Sequence, residues 1–184
     1  MSAFLRRAQA GFTLVELLIV VIILTVLAAI IVPQFSAATL DAREATLDAN
    51  LARMRSAIEL YQAQHNGRYP GRFASSGATC PGGGTAGTGA ADSAQALTDQ
   101  LTMFSNIAGQ TCTTTNGDFR FGPYLRRTLP TESINDSTAI AIQTTGAPLA
   151  PGAATGGWIY DTVSGQVVMN SNANDTRGRP YSSH

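Results

Sequence analysis

Lysine is absent from this chain, and all 12 basic residues are arginine. Twelve acids balance them, so the formal net charge is +0 and only 13% of residues are charged. No block of like charge occurs, which removes the electrostatic footprint that nucleic-acid binding requires. Histidine is scarce, at His65 and His184, and cysteine occurs only as Cys80 and Cys112. Two cysteines and two distant histidines lack the spacing of a zinc site. The sequence has no Gly-x-Ser-x-Gly elbow, no His-Glu-x-x-His pair and no phosphate loop. Gly82-Gly83-Gly84 is not followed by the Lys-Ser/Thr of such a loop and reads as a flexible linker. No catalytic set emerges, so a non-enzymatic role is expected. At 44% hydrophobic residues the chain is too apolar to be disordered throughout.

What the chain does have is one long apolar run over residues 12–32, interrupted only by Thr13, Glu16 and Thr25. As a helix rising 1.5 Å per residue it reaches about 31 Å, the thickness of a bilayer's hydrocarbon core. Arg6 and Arg7 precede it, so the positive-inside rule keeps the N-terminus cytoplasmic and puts everything after Pro33 on the other side. Glu16 is the anomaly. A carboxylate inside such a run costs roughly 2.5–3.5 kcal/mol on insertion scales, and it calls for a partner. A secretory signal peptide cut near Val26-Leu27-Ala28 would leave Glu16 and Gly11 without a purpose. A plain membrane anchor explains the length of the run but not the carboxylate.

The segment Gly11-Phe12-Thr13-Leu14-Val15-Glu16-Leu17-Leu18, behind its short basic leader, resembles the class III leader of the type IV pilin-like family. That resemblance implies cleavage after Gly11 by prepilin peptidase on the cytoplasmic face, and N-methylation of the new first residue, Phe12. It also implies a filament-assembly role for Glu16 with Phe12. The physics agrees: cleavage creates a cationic amine on Phe12, and a neighbouring subunit displaced along a filament axis can offer that amine to Glu16. Breaking a buried pair of this kind from one side costs about 3–5 kcal/mol. Self-assembly into a helical filament, on an inner-membrane assembly platform, is the implied consequence.

Beyond the run, Leu40, Leu47, Leu51, Met54, Ile58 and Tyr61 recur at a helical period and form one apolar stripe. Arg55 and Glu59 are spaced for an i,i+4 ion pair. Pro33, between the two halves, removes a backbone donor and is expected to kink the helix. His65-Asn66-Gly67 reads as its stop. Downstream, a short helix is expected over 93–107, a strand over 138–144, and a hairpin of 156–161 with 165–169 turning at Ser164-Gly165. The last fifteen or so residues read as a loose polar tail. The expected fold class is therefore α+β, with a long N-terminal spine helix packed on a small antiparallel β-sheet head. Its parts are a cleaved leader (1–11), a transmembrane and filament-core helix (12–33), an amphipathic helix (34–66), a connecting segment (67–137), and a sheet with C-terminal tail (138–184).

Cys80 and Cys112 lie in the connecting segment, beyond the membrane, where an oxidising compartment favours a disulfide; free thiols are the alternative. Asn170, Asn172, Asn174 and Asp175 carry oxygens suited to calcium, but not at EF-hand spacing, so no metal or cofactor is assigned and calcium stays unplaced. Asn66-Gly67-Arg68-Tyr69-Pro70 and Gly122-Pro123-Tyr124-Leu125 are similar to pseudopilins of type II secretion. That likeness implies a single-pass inner-membrane subunit with a periplasmic head, destined for a short export filament. A type IV pilin of a surface pilus is the alternative, and a membrane-anchored periplasmic enzyme or binding protein a remote one.

Overall fold

The computed structural model describes residues 11–152 and 156–184, so Arg6, Arg7 and the rest of the leader before Gly11 lie outside the described residues. The chain divides into two compact units, a first ending at Leu40 and a second running Asp41–His184. Helix α1, Leu14–Gln64, contributes to both. Its stretch in the first unit is β-branched and leucine-rich, and every residue from 11 to 40 is exposed. The helix continues through Pro33 without interruption.

In the second unit the buried face of α1 carries Leu47, Leu51, Met54, Ala57, Ile58 and Tyr61. Leu40, expected at the head of that stripe, is 42% exposed, and the buried face begins at Glu44 instead. A charged residue sits there because Thr176 and Tyr181 satisfy its carboxylate, which a stripe of apolar residues does not reveal. Arg55 also departs from expectation. It donates to the carbonyls of Val167 (3.2 Å) and His184 (2.6 Å), and no Arg55–Glu59 ion pair forms among the described residues. A part-buried bond from a charged donor outweighs an exposed pair worth a few tenths of a kcal/mol. The helix stops where its sequence directs. Asn66 and Gly67 take left-handed backbone (φ 55 and 80), and the Gly67 N–H returns to the Gln62 carbonyl at 2.9 Å.

The connecting segment contains α2, Ala94–Thr102, capped by the Ser93 hydroxyl, which accepts from the Ala96 N–H at 3.1 Å. It is shorter than the helix expected over 93–107. Phe104–Ser105 (β1) instead pairs antiparallel with Thr111–Cys112 (β2), around a turn in which Gly109 has φ 91. Two buried polar side chains hold these loops. Gln100 accepts from the Gly71 N–H and donates to the carbonyls of Phe73 and Gly109. Asp99 accepts from the Ser75 hydroxyl and from the N–H groups of Thr88 and Gly89. Cys80 and Cys112 form a disulfide with Cα atoms 5.6 Å apart. The glycines expected as a flexible linker are instead folded, since Pro81–Gly83 makes a 3-10 turn whose Pro81 carbonyl accepts from the Thr114 hydroxyl at 2.7 Å.

The main sheet has strand order β3-β4-β5, with β3 Ile140–Gln143, β4 Trp158–Asp161 and β5 Val167–Met169. β4 and β5 form the expected antiparallel hairpin, but β3 runs parallel to β4, so the sheet is mixed. The connection over residues 144–157 is long enough for the crossover that parallel neighbours need, whereas a hairpin would need only a tight turn. At the hairpin, Gly165 has φ 72, and a Cβ there would lie 2.2 Å from the Tyr69 ring. Trp158, Tyr160 and Met169 pack with Leu97, Leu101 and Leu125 against the buried face of α1. Each fully buried large apolar side chain contributes roughly 1.5–3 kcal/mol. Trp158 Nε1 donates to the Pro130 carbonyl and the Tyr160 hydroxyl to the Pro70 carbonyl, so neither polar tip is stranded.

The tail is not loose. Ser171, Asp175 and Tyr181 are buried, and Tyr181–Ser183 forms a 3-10 turn. Its anchors are the Glu44 bonds already described and the His184 imidazole, whose Nδ1 lies 2.6 Å from Asp48 and Nε2 3.3 Å from Asp175. Glu44 and Asp48 sit over a hundred residues away on α1, so no local pattern announces them.

Candidate functional site

The N-terminal end of α1 concentrates the residues singled out from the sequence. Gly11, Phe12 and Thr13 precede the helix, and Leu14 begins it. A Cβ at Gly11 would meet nothing within 4 Å, and Phe12 is 80% exposed. The Gly11–Phe12 peptide bond therefore lies in open, non-helical backbone.

Glu16 has a partner within its own chain. The Thr13 N–H and hydroxyl each donate to Glu16 Oε2 at 2.9 Å, and the Glu16 N–H returns to Thr13 Oγ1 at 3.2 Å. This reciprocal arrangement is a capping box, which satisfies backbone donors that the first helical turn leaves open. A negative side chain in that turn also complements the positive end of the helix dipole. Thr13 escaped the sequence reading, although Thr-x-x-Glu before an apolar run is the pattern that announces such a box.

The side chains that follow have no covering within the chain. Residues Leu17, Ile19, Ile22, Leu24, Leu27 and Ile30 are 48–58% exposed, as a lone helix leaves them. Among the described residues, α1 is the one helix long and apolar enough to cross a membrane. Hydrocarbon or other apolar helices must cover this surface. No group of His, Cys, Asp and Glu able to hold a metal ion occurs among the described residues.

Asp175, the one carboxylate of the tail oxygens considered for calcium, accepts from the N–H groups of Arg177 and Arg179 and from the Arg179 guanidinium. Burial pushes its carboxyl up, but these donors outweigh burial and hold it below the usual range. Asp161 is likewise occupied. It accepts from Val163 and Ser164 on one oxygen and from Thr145 and Gly146 on the other. Burial opposes its charge too, and the N–H groups of Ser164, Gly146 and Val163 more than offset it.

The open Gly-Phe bond, the carboxylate four residues beyond it and the exposed apolar helix are the features in which this chain resembles the type IV pilin-like family. Residues 6–32 match a family model described as the prokaryotic N-terminal methylation motif. The chain is 37% identical over 65 residues to type II secretion system core protein G of Pseudomonas aeruginosa, covering 35% of this chain and 45% of that protein. It is 46% identical over 57 residues to the type IV narrow pilus major component PilA5 of Thermus thermophilus, covering 31% of this chain and 49% of the relative. Core protein G of Aeromonas hydrophila is 32% identical over 65 residues. The matches thus span about half the length of these curated relatives. No solved structure matches the chain.

Proposed function

We propose that this chain is a structural subunit of a type IV pilus-like filament, processed after Gly11 and methylated on Phe12. The observation that carries the reading is the start of α1: an open Gly11–Phe12 bond, then Glu16, then a helix with no covering of its own. In the precursor, Glu16 is held by Thr13 at the N-terminus of a positively ended helix. In a filament, the methylated amine of a neighbouring subunit supplies the counter-charge, and the apolar helices cover one another. The need to pair each carboxylate then sets the register of assembly. The head faces the periplasm, and the subunit is drawn from the inner membrane by an assembly platform.

The matches to core protein G favour a pseudopilin of type II secretion. The match to PilA5 favours a second reading, a type IV pilin of a surface pilus. Mass spectrometry of the mature chain tests the shared part: it should begin at methylated Phe12, and a start at Met1 or near Ala29 overturns it. A deletion strain separates the two readings. Loss of secreted proteins without loss of surface filaments is expected for the pseudopilin, and loss of shearable surface filaments for the pilin.

The head is read as folding without calcium. Asp161 and Asp175 spend their oxygens on N–H and guanidinium donors, which leaves no cluster of free carboxylate oxygens at the sheet loops among the described residues.

A further inference from the structure

The arginines of the second unit are mostly engaged. Arg43, Arg72 and Arg179 pair with Asp136, Asp92 and Asp175, and Arg55 reaches two carbonyls. Arg68 and Arg120 lie over the rings of Phe73 and Phe121. Arg177 has no such side-chain bond among the described residues but lines a groove with the carboxylates of Asp41, Glu44 and Asp48. Arg53, Arg126 and Arg127 differ. Among the described residues they enter no hydrogen bond, ion pair or ring contact, they are exposed, and all three line one groove of about 360 Å³. The rest of its lining is Thr128, Leu129, Pro130 and Thr131, with no carboxylate.

The wall of this groove is rigid. Leu125 and Leu129 are buried in the core (1% and 8% exposed), which forces Arg126, Arg127 and Thr128 outward between them. The Pro130 carbonyl accepts from Trp158 Nε1 at 2.7 Å, and the Thr131 carbonyl from Asn50 Nδ2 at 3.0 Å. Arg53 projects from α1, whose buried face belongs to the same core. Three arginines line this groove with no carboxylate among its lining residues, so a bound anion would relieve the repulsion among their like charges. Their planar forks fit phosphate oxygens two at a time, and the groove is larger than a single phosphate.

We propose that this groove is an anion-binding site for a ligand carrying at least two phosphate groups. Two phosphates match three guanidinium charges, and the Thr128 and Thr131 hydroxyls flank them as neutral donors. The phosphates belong either to a free polyphosphate or to lipid headgroups. The site is independent of Glu16 and of filament assembly, so its failure and the failure of the filament reading are separable.

The test is calorimetric titration of the full chain in neutral detergent, with tripolyphosphate in one arm and detergent micelles carrying cardiolipin, a lipid with two phosphates, in the other. One saturable site is expected, weakening as salt is raised. Affinity should fall at least tenfold in the Arg126→Gln/Arg127→Gln double variant and stay within twofold in Arg120→Gln, which alters an arginine outside the groove. Binding in the first arm alone assigns a free polyphosphate; in the second alone, a lipid headgroup. No binding in either arm, an unchanged affinity in the double variant, or an equal loss in Arg120→Gln overturns the proposal. If the wild-type chain binds neither probe and the double variant fails to form filaments, the groove is a contact between copies instead.

Discussion

Thr13 and Glu16 cap each other: the Thr13 N–H reaches Glu16 Oε2 at 2.9 Å while the Glu16 N–H reaches Thr13 Oγ1 at 3.2 Å. The carboxylate therefore has two separable duties, one local and one assigned to it in the filament. Substitutions can divide them. Glu16→Gln keeps an oxygen for the Thr13 N–H but removes the charge, so the chain should still be processed while filament yield falls at least tenfold. Thr13→Ala removes the box and keeps the charge. It costs about 1 kcal/mol at the start of the helix, and filament yield should fall much less. Immunoblots of pelleted filaments, beside mass spectra of the mature chain, read both effects. Filaments from Glu16→Gln at wild-type yield would mean the charge has no part in assembly.

Cys80 and Cys112 close a loop with a sequence separation of 32, in a segment that otherwise depends on Gln100 and Asp99 for its order. In the chain-entropy account, losing that closure stabilises the unfolded state by roughly 3.7 kcal/mol. Cys80→Ser/Cys112→Ser should lower the melting temperature of the full chain in detergent by about 10 °C. Reductant should produce a similar drop in the wild type and none in the variant. Unchanged melting on reduction would show that the segment holds without its staple.

What was legible in the sequence was local. The stripe from Leu47 to Tyr61, the stop at Gly67, the Ser93 cap and the hairpin around Gly165 each follow from short-range periodicity or from backbone that favours glycine. The residues of the candidate site, Gly11, Phe12 and Glu16, were legible for a similar reason, since their order and spacing are local. What could not be read was set by distant partners. Glu44 is buried because Thr176 and Tyr181 come to it, the tail is ordered because Asp48 and Glu44 hold it, and β3 runs parallel because of where its crossover returns. Arg53 is likewise distant in sequence from the adjacent pair Arg126 and Arg127, and only the fold brings it to their groove.

Asp161 collects four N–H donors across the hairpin and the loop beyond β3. A cation would have to displace them to bind there. Chelator should therefore leave the melting temperature of the full chain unchanged, and added calcium should not raise it. Asp161→Asn presents an amide N–H to one of these donor pairs and should destabilise the head by roughly 3 kcal/mol, read by denaturant titration. A melting temperature that falls with chelator and recovers with calcium would contradict the reading of a calcium-independent head.

His65 stacks on Tyr61 with ring centroids 3.7 Å apart, just past the end of α1. Its Nδ1 lies 2.9 Å from the Tyr61 carbonyl, and its Nε2 lies 3.0 Å from the Asn106 carbonyl and 3.1 Å from the Ser105 hydroxyl. Burial is the main influence and holds the imidazole below its ordinary value of 6.5, with the Arg68 charge adding to it and the two carbonyl contacts opposing it. Unfolded, the ring takes up its proton near pH 6.5; folded, it stays neutral to lower pH. Below about pH 6.5 the unfolded chain thus binds more protons, and stability declines as pH falls. The decline ends only below the folded value, where both states are protonated. Asp161 and Asp175, held below the usual carboxylate range, add a second loss at more acid pH, as their carboxylates protonate. Denaturant titrations at a series of pH values should show stability falling as pH drops below about 6.5 in the wild type. The curve should be flatter in His65→Gln. Parallel curves would place the pH dependence outside His65.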